Sequence, residues 1–336
     1  MRPPLWERLI ASGSFSVCAT LGAVGYALVL RSLYRHRAQF HQTHSFYVLV
    51  WSLACADVLM MLTQYVIAIP LSATGLPLYG TGQLLTVLAL ADHVGFRLSL
   101  LSSISIGLNR FLCFVLPRVH SILFDEQRTR FWPVGIACTA ALMLLSDTAN
   151  GYRQTFYHEY FYYSAVRLNL TAEQEAFLDR TGLSLLLEVT NRITRWGPLV
   201  NFSLYVSAYV YIKVKLVPKA AQGQQQQQQQ QQPSSSGGVS LERQFLLQGL
   251  AINLVTLVEW YAFIEAGRIY AFGCERLGSC VLGSVVVSNV VILNSAINPY
   301  IFLAFNKSLR QRVKQDLGLG KKAHATGAVT PRRNWA

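Results

Sequence analysis

Seven stretches of the chain are almost continuously apolar and long enough to cross a membrane as helices. The hydrocarbon core of a bilayer is about 30 Å thick, and a helix needs about 20 residues to cross it. We therefore predict an all-α membrane protein built as a seven-transmembrane helix bundle. The predicted spans are residues 9–30, 46–70, 83–116, 131–148, 198–217, 245–267 and 281–305.

The spans divide the chain into three parts. Residues 1–8 precede the first span, 9–315 form the membrane domain, and 316–336 form a C-terminal tail. The loop at 218–242 contains nine consecutive glutamines, Gln224 to Gln232, and this low complexity predicts disorder. In the segment after the fourth span, Thr171 and Gln174 have the spacing of a capping box, which predicts a helix there.

Composition supports the membrane assignment. Only 13% of the residues are charged and 52% are hydrophobic, whereas soluble domains carry about 25% charged residues. The formal net charge of +13 would suit a nucleic-acid partner, but the basic residues lie close to the ends of the spans. They follow the positive-inside rule if the N-terminus is outside, because the inner segments then hold 18 of the 29 Lys and Arg residues and the outer segments hold 9.

Two features of the outer segments agree with this orientation. Asn169 begins an Asn-Leu-Thr glycosylation acceptor in the long loop between the fourth and fifth spans. Cys274 and Cys280 both lie between the sixth and seventh spans, where an oxidising compartment would let them close a small disulfide loop.

Polar residues at membrane depth form recognisable motifs. The seventh span ends in NSAINPYIF, with Asn298 and Pro299 in an Asn-Pro-x-x-Tyr pattern whose Tyr is replaced by Phe302. Leu53 and Ala54 precede Asp57 on the second span. The third span ends in LNRFLCFVLP, which corresponds to an Asp-Arg-Tyr pattern. Arg110 is kept, whereas Asn109 replaces the acid and Phe111 replaces the Tyr.

Together these motifs resemble those of rhodopsin-like (class A) G-protein-coupled receptors. LNRF, the proline seven residues after Arg110, and SILFDEQRTRFW resemble the nematode serpentine chemosensory receptors of class x. The resemblance implies a plasma-membrane chemosensory receptor that passes an extracellular small-molecule or peptide signal to a heterotrimeric G protein. It also implies a short amphipathic eighth helix at FNKSLRQRV, with Phe305, Leu309 and Val313 on its apolar side.

The resemblance further implies an allosteric sodium site between spans two, three and seven, since oxygen ligands suit a hard cation. The alternative is that these polar groups only satisfy one another at a helix interface. The implied ligands are Asp57, Ser99, Asn294, Ser295 and Asn298.

Family membership would also assign a switch at the inner face. Arg110 would move towards the G protein on activation, although an arginine that snorkels to the interface is the ordinary alternative. Asn109 removes the acidic partner of this arginine, which predicts a weaker inactive lock. The switch residues are Asn109, Arg110, Phe111, Asn298, Pro299 and Phe302.

The ligand cavity is expected between the outer halves of the spans. Asp92 lies eighteen residues before Arg110, where amine receptors of the family carry a ligand-binding aspartate; alternatively it pairs with Arg97, His93 or Arg268. Arg97 and Glu259 are further charges at membrane depth, and a bridge between them is one hypothesis. The candidate lining residues are Asp92, His93, Phe96, Arg97, Glu259, Trp260 and Phe263.

Other classes fit less well. The seventh span has no lysine for a retinal Schiff base, and no recognisable catalytic or metal-binding pattern indicates an enzyme. A transporter would show repeated halves, and an inverted seven-span channel would have its N-terminus inside. A non-signalling receptor stays open, because Asn109, Phe111, Phe302 and Tyr26 replace residues of the family's motifs. The family's lid cysteines are also absent, so its usual lid disulfide cannot form.

Overall fold

The computed structural model describes five segments of the chain, which together contain the seven helical spans. They are residues 3–36, 44–80, 83–216, 236–276 and 278–319. The polyglutamine tract and most of the tail, whose disorder and extent were predicted above, lie outside these segments.

Seven long helical spans form the bundle, in the predicted order. Span 2 contains a π-helical turn at Gln64–Ala68, and span 5 ends in another at Ile212–Leu216. The α-helical bounds of spans 1 to 7 are Leu5–Arg35, His44–Thr63 continued by Ile69–Thr74, Gln83–Val115, Trp132–Ala149, Leu183–Tyr211, Ser236–Ile264 and Cys280–Phe305.

The fifth span differs most from its prediction. Six helices of the described segments are long and apolar enough to cross a membrane by composition alone, and span 5 is not among them. It begins at Leu183 rather than at 198, because a polar extension precedes the apolar run. Glu188 and Arg192 pair at i,i+4 on that extension, so the helix continues beyond the stretch that hydropathy detects.

Short helices connect or follow the spans. Thr171 and Gln174 form the predicted capping box at the start of the helix Ala172–Thr181. The eighth helix runs over Lys307–Asp316, with Leu309 and Val313 buried against the bundle. The remaining short helices are Pro117–Leu123, Glu126–Thr129 and Ala266–Arg276.

A β-hairpin interrupts the helices of the described segments, and the sequence analysis did not predict it. Strands β1 (Tyr152–Tyr157) and β2 (Tyr162–Arg167) pair antiparallel in the outer loop between spans 4 and 5. Phe161, at the turn, is fully buried, and its carbonyl accepts a hydrogen bond from Ser288 of span 7. The hairpin is thereby fixed over the outer end of the bundle.

Proline and glycine shape the two spans that carry the polar centre. Pro70 cannot donate to the carbonyl four residues earlier, and that carbonyl, of Val66, accepts instead from the Tyr79 hydroxyl. Pro299 of span 7 packs on span 1 at Gly25, where an added Cβ would lie 2.7 Å from the proline Cγ. A larger residue at Gly25 would push spans 1 and 7 apart.

Candidate functional site

Asp57 is the centre of a buried polar network that joins spans 1, 2, 3 and 7. Its side chain is fully buried. Oδ1 accepts from the Ser99 hydroxyl at 2.8 Å, and Oδ2 accepts from Asn298 Nδ2 at 2.9 Å and from the Tyr26 hydroxyl. Tyr26, which the sequence analysis treated only as a departure from the family, therefore holds the carboxylate directly.

The other two predicted sodium ligands also contact side chains other than Asp57, although Ser295 lies close to its carboxylate. Asn294 donates to Glu259 Oε2 and accepts from Thr256 at 3.3 Å. Ser295 donates to the Met60 sulfur at 3.6 Å.

The donors around Asp57 bear on the implied sodium site. Sodium needs oxygen acceptors, whereas three donors are aimed at Asp57 and occupy both of its oxygens. Among the described residues, no group of three or more His, Cys, Asp or Glu side chains could hold a metal ion. The carboxylate of Asp57 thus has hydrogen-bond donors on both oxygens, whereas the buried Oδ1 of Asn298, another implied sodium ligand, has no partner among the described residues.

The predicted ligand-binding residues divide between two cavities. Met60, Phe96 and Phe263 line both. The outer cavity, of about 410 Å³, holds Asp92, His93 and Arg97. The deep cavity, of about 530 Å³, holds Glu259 and Trp260 and reaches Ser99, Asn294 and Asn298.

The hairpin roofs the outer cavity. Gln154, Phe156, Tyr162 and Tyr163 of the two strands line it together with Ser288 of span 7. Burial and the nearby Asp92 carboxylate raise the pKa of the Tyr163 hydroxyl well above its usual value, so this hydroxyl stays neutral. Sequence reasoning missed these strand residues, although their aromatic content was visible.

The predicted Arg97–Glu259 bridge is wrong. Arg97 pairs with Asp147 of span 4, with Nη2 and Oδ2 2.9 Å apart and both side chains buried. His93 Nε2 lies 3.2 Å from the same oxygen, and Thr194 of span 5 accepts from Arg97 Nη1. Asp147 was overlooked because it follows an apolar run at the predicted outer end of span 4, where a charge is unremarkable.

Two of the three predicted ionic partners of Asp92, Arg97 and Arg268, pair with other acids, whereas His93 does interact electrostatically with it. Asp92 Oδ1 accepts from Thr63 at 3.0 Å and from Gln64 Nε2 at 3.1 Å, both of span 2. Arg268 instead pairs with Glu265 at 2.9 Å, as the i,i+3 spacing indicates.

At the inner end of span 3, an aromatic ring faces Arg110. The guanidinium carbon lies 3.9 Å from the centroid of Phe46 on span 2. Asn109 is buried and lies 3.3 Å from His120 Nε2 of the following short helix. Phe302 belongs to the same cluster of buried apolar residues as Phe46. Phe111 is partly exposed and packs against that cluster.

A second buried polar network, formed by two asparagines and a serine, joins spans 3, 5 and 6. Asn201 Nδ2 donates to Ser103 at 2.9 Å and to Asn253 Oδ1, and all three side chains are buried. Polar side chains at membrane depth were a sufficient signal to find it.

The outer loops contain the two predicted modification sites. Asn169 is exposed just after β2. The structure joins Cys274 to Cys280 in a disulfide that links the short outer helix to the start of span 7.

Comparisons with known proteins agree with one another. A family model described as serpentine type 7TM GPCR chemoreceptor Srx matches residues 17–297. Squid rhodopsin has a similar fold, with a TM-score of 0.70 over 95% of this chain and 87% of that chain, at 12% sequence identity. No curated protein sequence matches.

Proposed function

This chain belongs to the serpentine 7TM GPCR chemoreceptors of the Srx family, and from that premise we propose that it detects a small extracellular molecule in the outer cavity. The family is described as one of chemoreceptors, which supports a receptor function. The single observation that carries the proposal is the outer cavity itself. Buried charges of span 3, rarely found at membrane depth without a functional role, line a cavity roofed by the hairpin.

We further propose that the N-terminus is extracellular in the plasma membrane. The basic bias of the inner segments supports this orientation. So does Asn169, an acceptor triplet on an exposed outer loop.

Ligand binding would bias a two-state bundle towards the form that accepts a heterotrimeric G protein. The Asp57 network supports this coupling, because it joins four spans and contacts span 3 at Ser99, between Arg97 of the outer cavity and Arg110. Release of Arg110 from Phe46 would be the corresponding change at the inner face.

The test is a ligand screen in cells with a G-protein activation readout. Wild type is compared with Arg110→Ala and Asp57→Ala, and Arg118→Ala, an exposed arginine on the next helix, is the matched control. Arg110→Ala and Asp57→Ala are expected to lose the response while the control keeps it, with surface expression measured in parallel. Equal signalling by all four proteins would contradict the proposed mechanism.

A non-signalling receptor is the second candidate, favoured by the replacements at Asn109, Phe111 and Phe302. It predicts that a ligand stabilises the purified protein while no G protein responds in the same screen.

A further inference from the structure

Glu259 is a buried acid with half of its hydrogen-bonding capacity unused. Its side chain lines the deep cavity and the residue is 4% exposed. Oε2 accepts from Asn294. Oε1 is buried and has no hydrogen-bond partner among the described residues. A buried polar atom without a partner is costly, so a group that donates to Oε1 would be strongly favoured.

The surroundings of Glu259 suit a cation with an apolar body. Trp260, Phe96 and Phe263 line the same cavity, and aromatic faces attract ammonium groups. The rest of the wall mixes apolar side chains, such as Leu100 and Ile252, with neutral polar side chains of Ser, Thr and Asn. Glu259 is the only acid in the lining, and Arg195, its only base, is exposed at the rim over the ring of Trp196.

We propose that the deep cavity is a binding site for a small apolar primary amine, with Glu259 Oε1 as the acceptor of its ammonium group. Asn294 holds the other oxygen and so orients the carboxylate across the gap between spans 6 and 7. Asp92 does not serve this role, because it lies in the other cavity, where Thr63 and Gln64 donate to it. The inference rests on the proposal that the chain is a ligand-binding receptor.

The experiment measures binding to the purified full-length protein by thermal shift, without any G protein. Three probes of one shape are compared: phenethylamine, phenethyl alcohol and phenylacetate. Phenethylamine is expected to raise the Tm at lower concentration than the alcohol, and phenylacetate is expected to have no effect. Glu259→Gln should weaken the amine effect by about 30-fold or more, since the buried ammonium loses its charged acceptor.

Two further variants keep the result decisive. Glu265→Gln makes the same change at the rim of span 6, outside the cavity, and should leave amine binding intact. Thr256→Phe should block binding by filling the cavity while Glu259 is retained, which covers the case in which Glu259→Gln does not fold.

Equal effects of amine and alcohol, or an amine effect that survives Glu259→Gln, would overturn the proposal. Loss of the effect in Asp92→Asn, with Glu259→Gln unaffected, would place the amine in the outer cavity instead and would also overturn it. Amine binding without G-protein activation in cells would leave this site standing and contradict only the proposed function.

Discussion

Tyr26 shows how one side chain can decide the character of a buried site. It is 1% exposed and donates to the carboxylate of Asp57 from span 1. The family's motif on span 2 leads us to expect a cation here. The tyrosine hydroxyl instead donates a hydrogen bond to the carboxylate oxygen that a cation would contact. A buried carboxylate with three donors is satisfied without an ion.

We predict that the receptor is insensitive to sodium and that Tyr26→Asn makes it sensitive. The smaller amide opens space beside Asp57 and offers an oxygen ligand. The measurement is the Tm of the purified protein in NaCl against KCl at equal ionic strength. Tyr26→Phe separates loss of the donor from loss of volume. A sodium-dependent Tm in the wild type that Asp57→Asn abolishes would refute this prediction.

Phe46 is the second residue whose role depends on a contact that the sequence does not display. Its ring faces the Arg110 guanidinium at 3.9 Å, in a position where the ring quadrupole attracts the cation. Because Asn109 replaces the acidic partner of Arg110, we expect this contact to help stabilise Arg110 in the inactive form.

Phe46→Leu is expected to raise basal G-protein activation a few-fold, because a cation–π contact contributes about 0.5–2 kcal/mol. Basal activity per receptor at the cell surface is the quantity to compare. Phe131→Leu, an exposed aromatic at the inner end of span 4, is the control. Unchanged basal activity in Phe46→Leu would show that the ring does not stabilise the inactive form.

At the scale of elements, the helices followed from the sequence and the hairpin did not. Apolar runs predicted seven spans, since a helix is one of the few structures that satisfies its own backbone in lipid. β1 and β2 are short, and their strand pairing depends on a turn at which Phe161 adopts a positive φ of 56° and is buried against the bundle. That stabilisation comes from span 7, and no local pattern carries it.

The Arg97–Asp147 pair braces span 3 against span 4. Asp147→Ala should lower the Tm strongly, because removing one partner of a buried pair costs about 3–5 kcal/mol. The double variant Arg97→Met, Asp147→Leu should recover much of that loss, as measured by thermal unfolding in detergent.

Glu188→Ala provides the comparison for this brace. It breaks the exposed Glu188–Arg192 pair of span 5 and should cost less than about 1 kcal/mol. If Asp147→Ala lowered the Tm no more than Glu188→Ala, the Arg97–Asp147 pair would not stabilise the fold.

His120 gives the inner short helix a pH dependence. Partial burial and the Arg110 charge lower the pKa of its imidazole below the usual 6.5. The unfolded chain therefore takes up this proton more readily than the folded one, and stability falls as the pH drops below about 6.5. His120→Gln should flatten the Tm profile between pH 7 and pH 5.5, and an unchanged profile would contradict the assignment.

At the scale of the whole molecule, orientation is the property on which the proposed mechanism depends. The outer cavity can meet an extracellular ligand only if the hairpin side of the bundle faces outward. The basic bias along the chain favours that orientation through its distribution rather than through any single residue.

We predict that Asn169 carries the N-linked glycan and that a tag at the N-terminus is accessible on intact cells. Glycosidase treatment should shift the wild-type band, and Asn169→Gln should abolish the shift. Asn306, which also begins an acceptor triplet, is buried and caps the eighth helix, so Asn306→Gln should leave the shift unchanged. A tag accessible only after permeabilisation would show that the N-terminus is inside and contradict the proposed orientation.

The sequence by itself determined the class of the fold, the order of the spans and the motif positions at Asp57, Arg110 and Asn298. Those features depend on runs and spacings along one helix, where neighbours in sequence are neighbours in space. The tertiary structure alone decided which distant polar groups meet: Tyr26 with Asp57, Arg97 with Asp147, and Glu259 with Asn294. The rotation and register of the packed helices select these partners. The hydrophobic pattern alone is compatible with several rotations and registers of each helix.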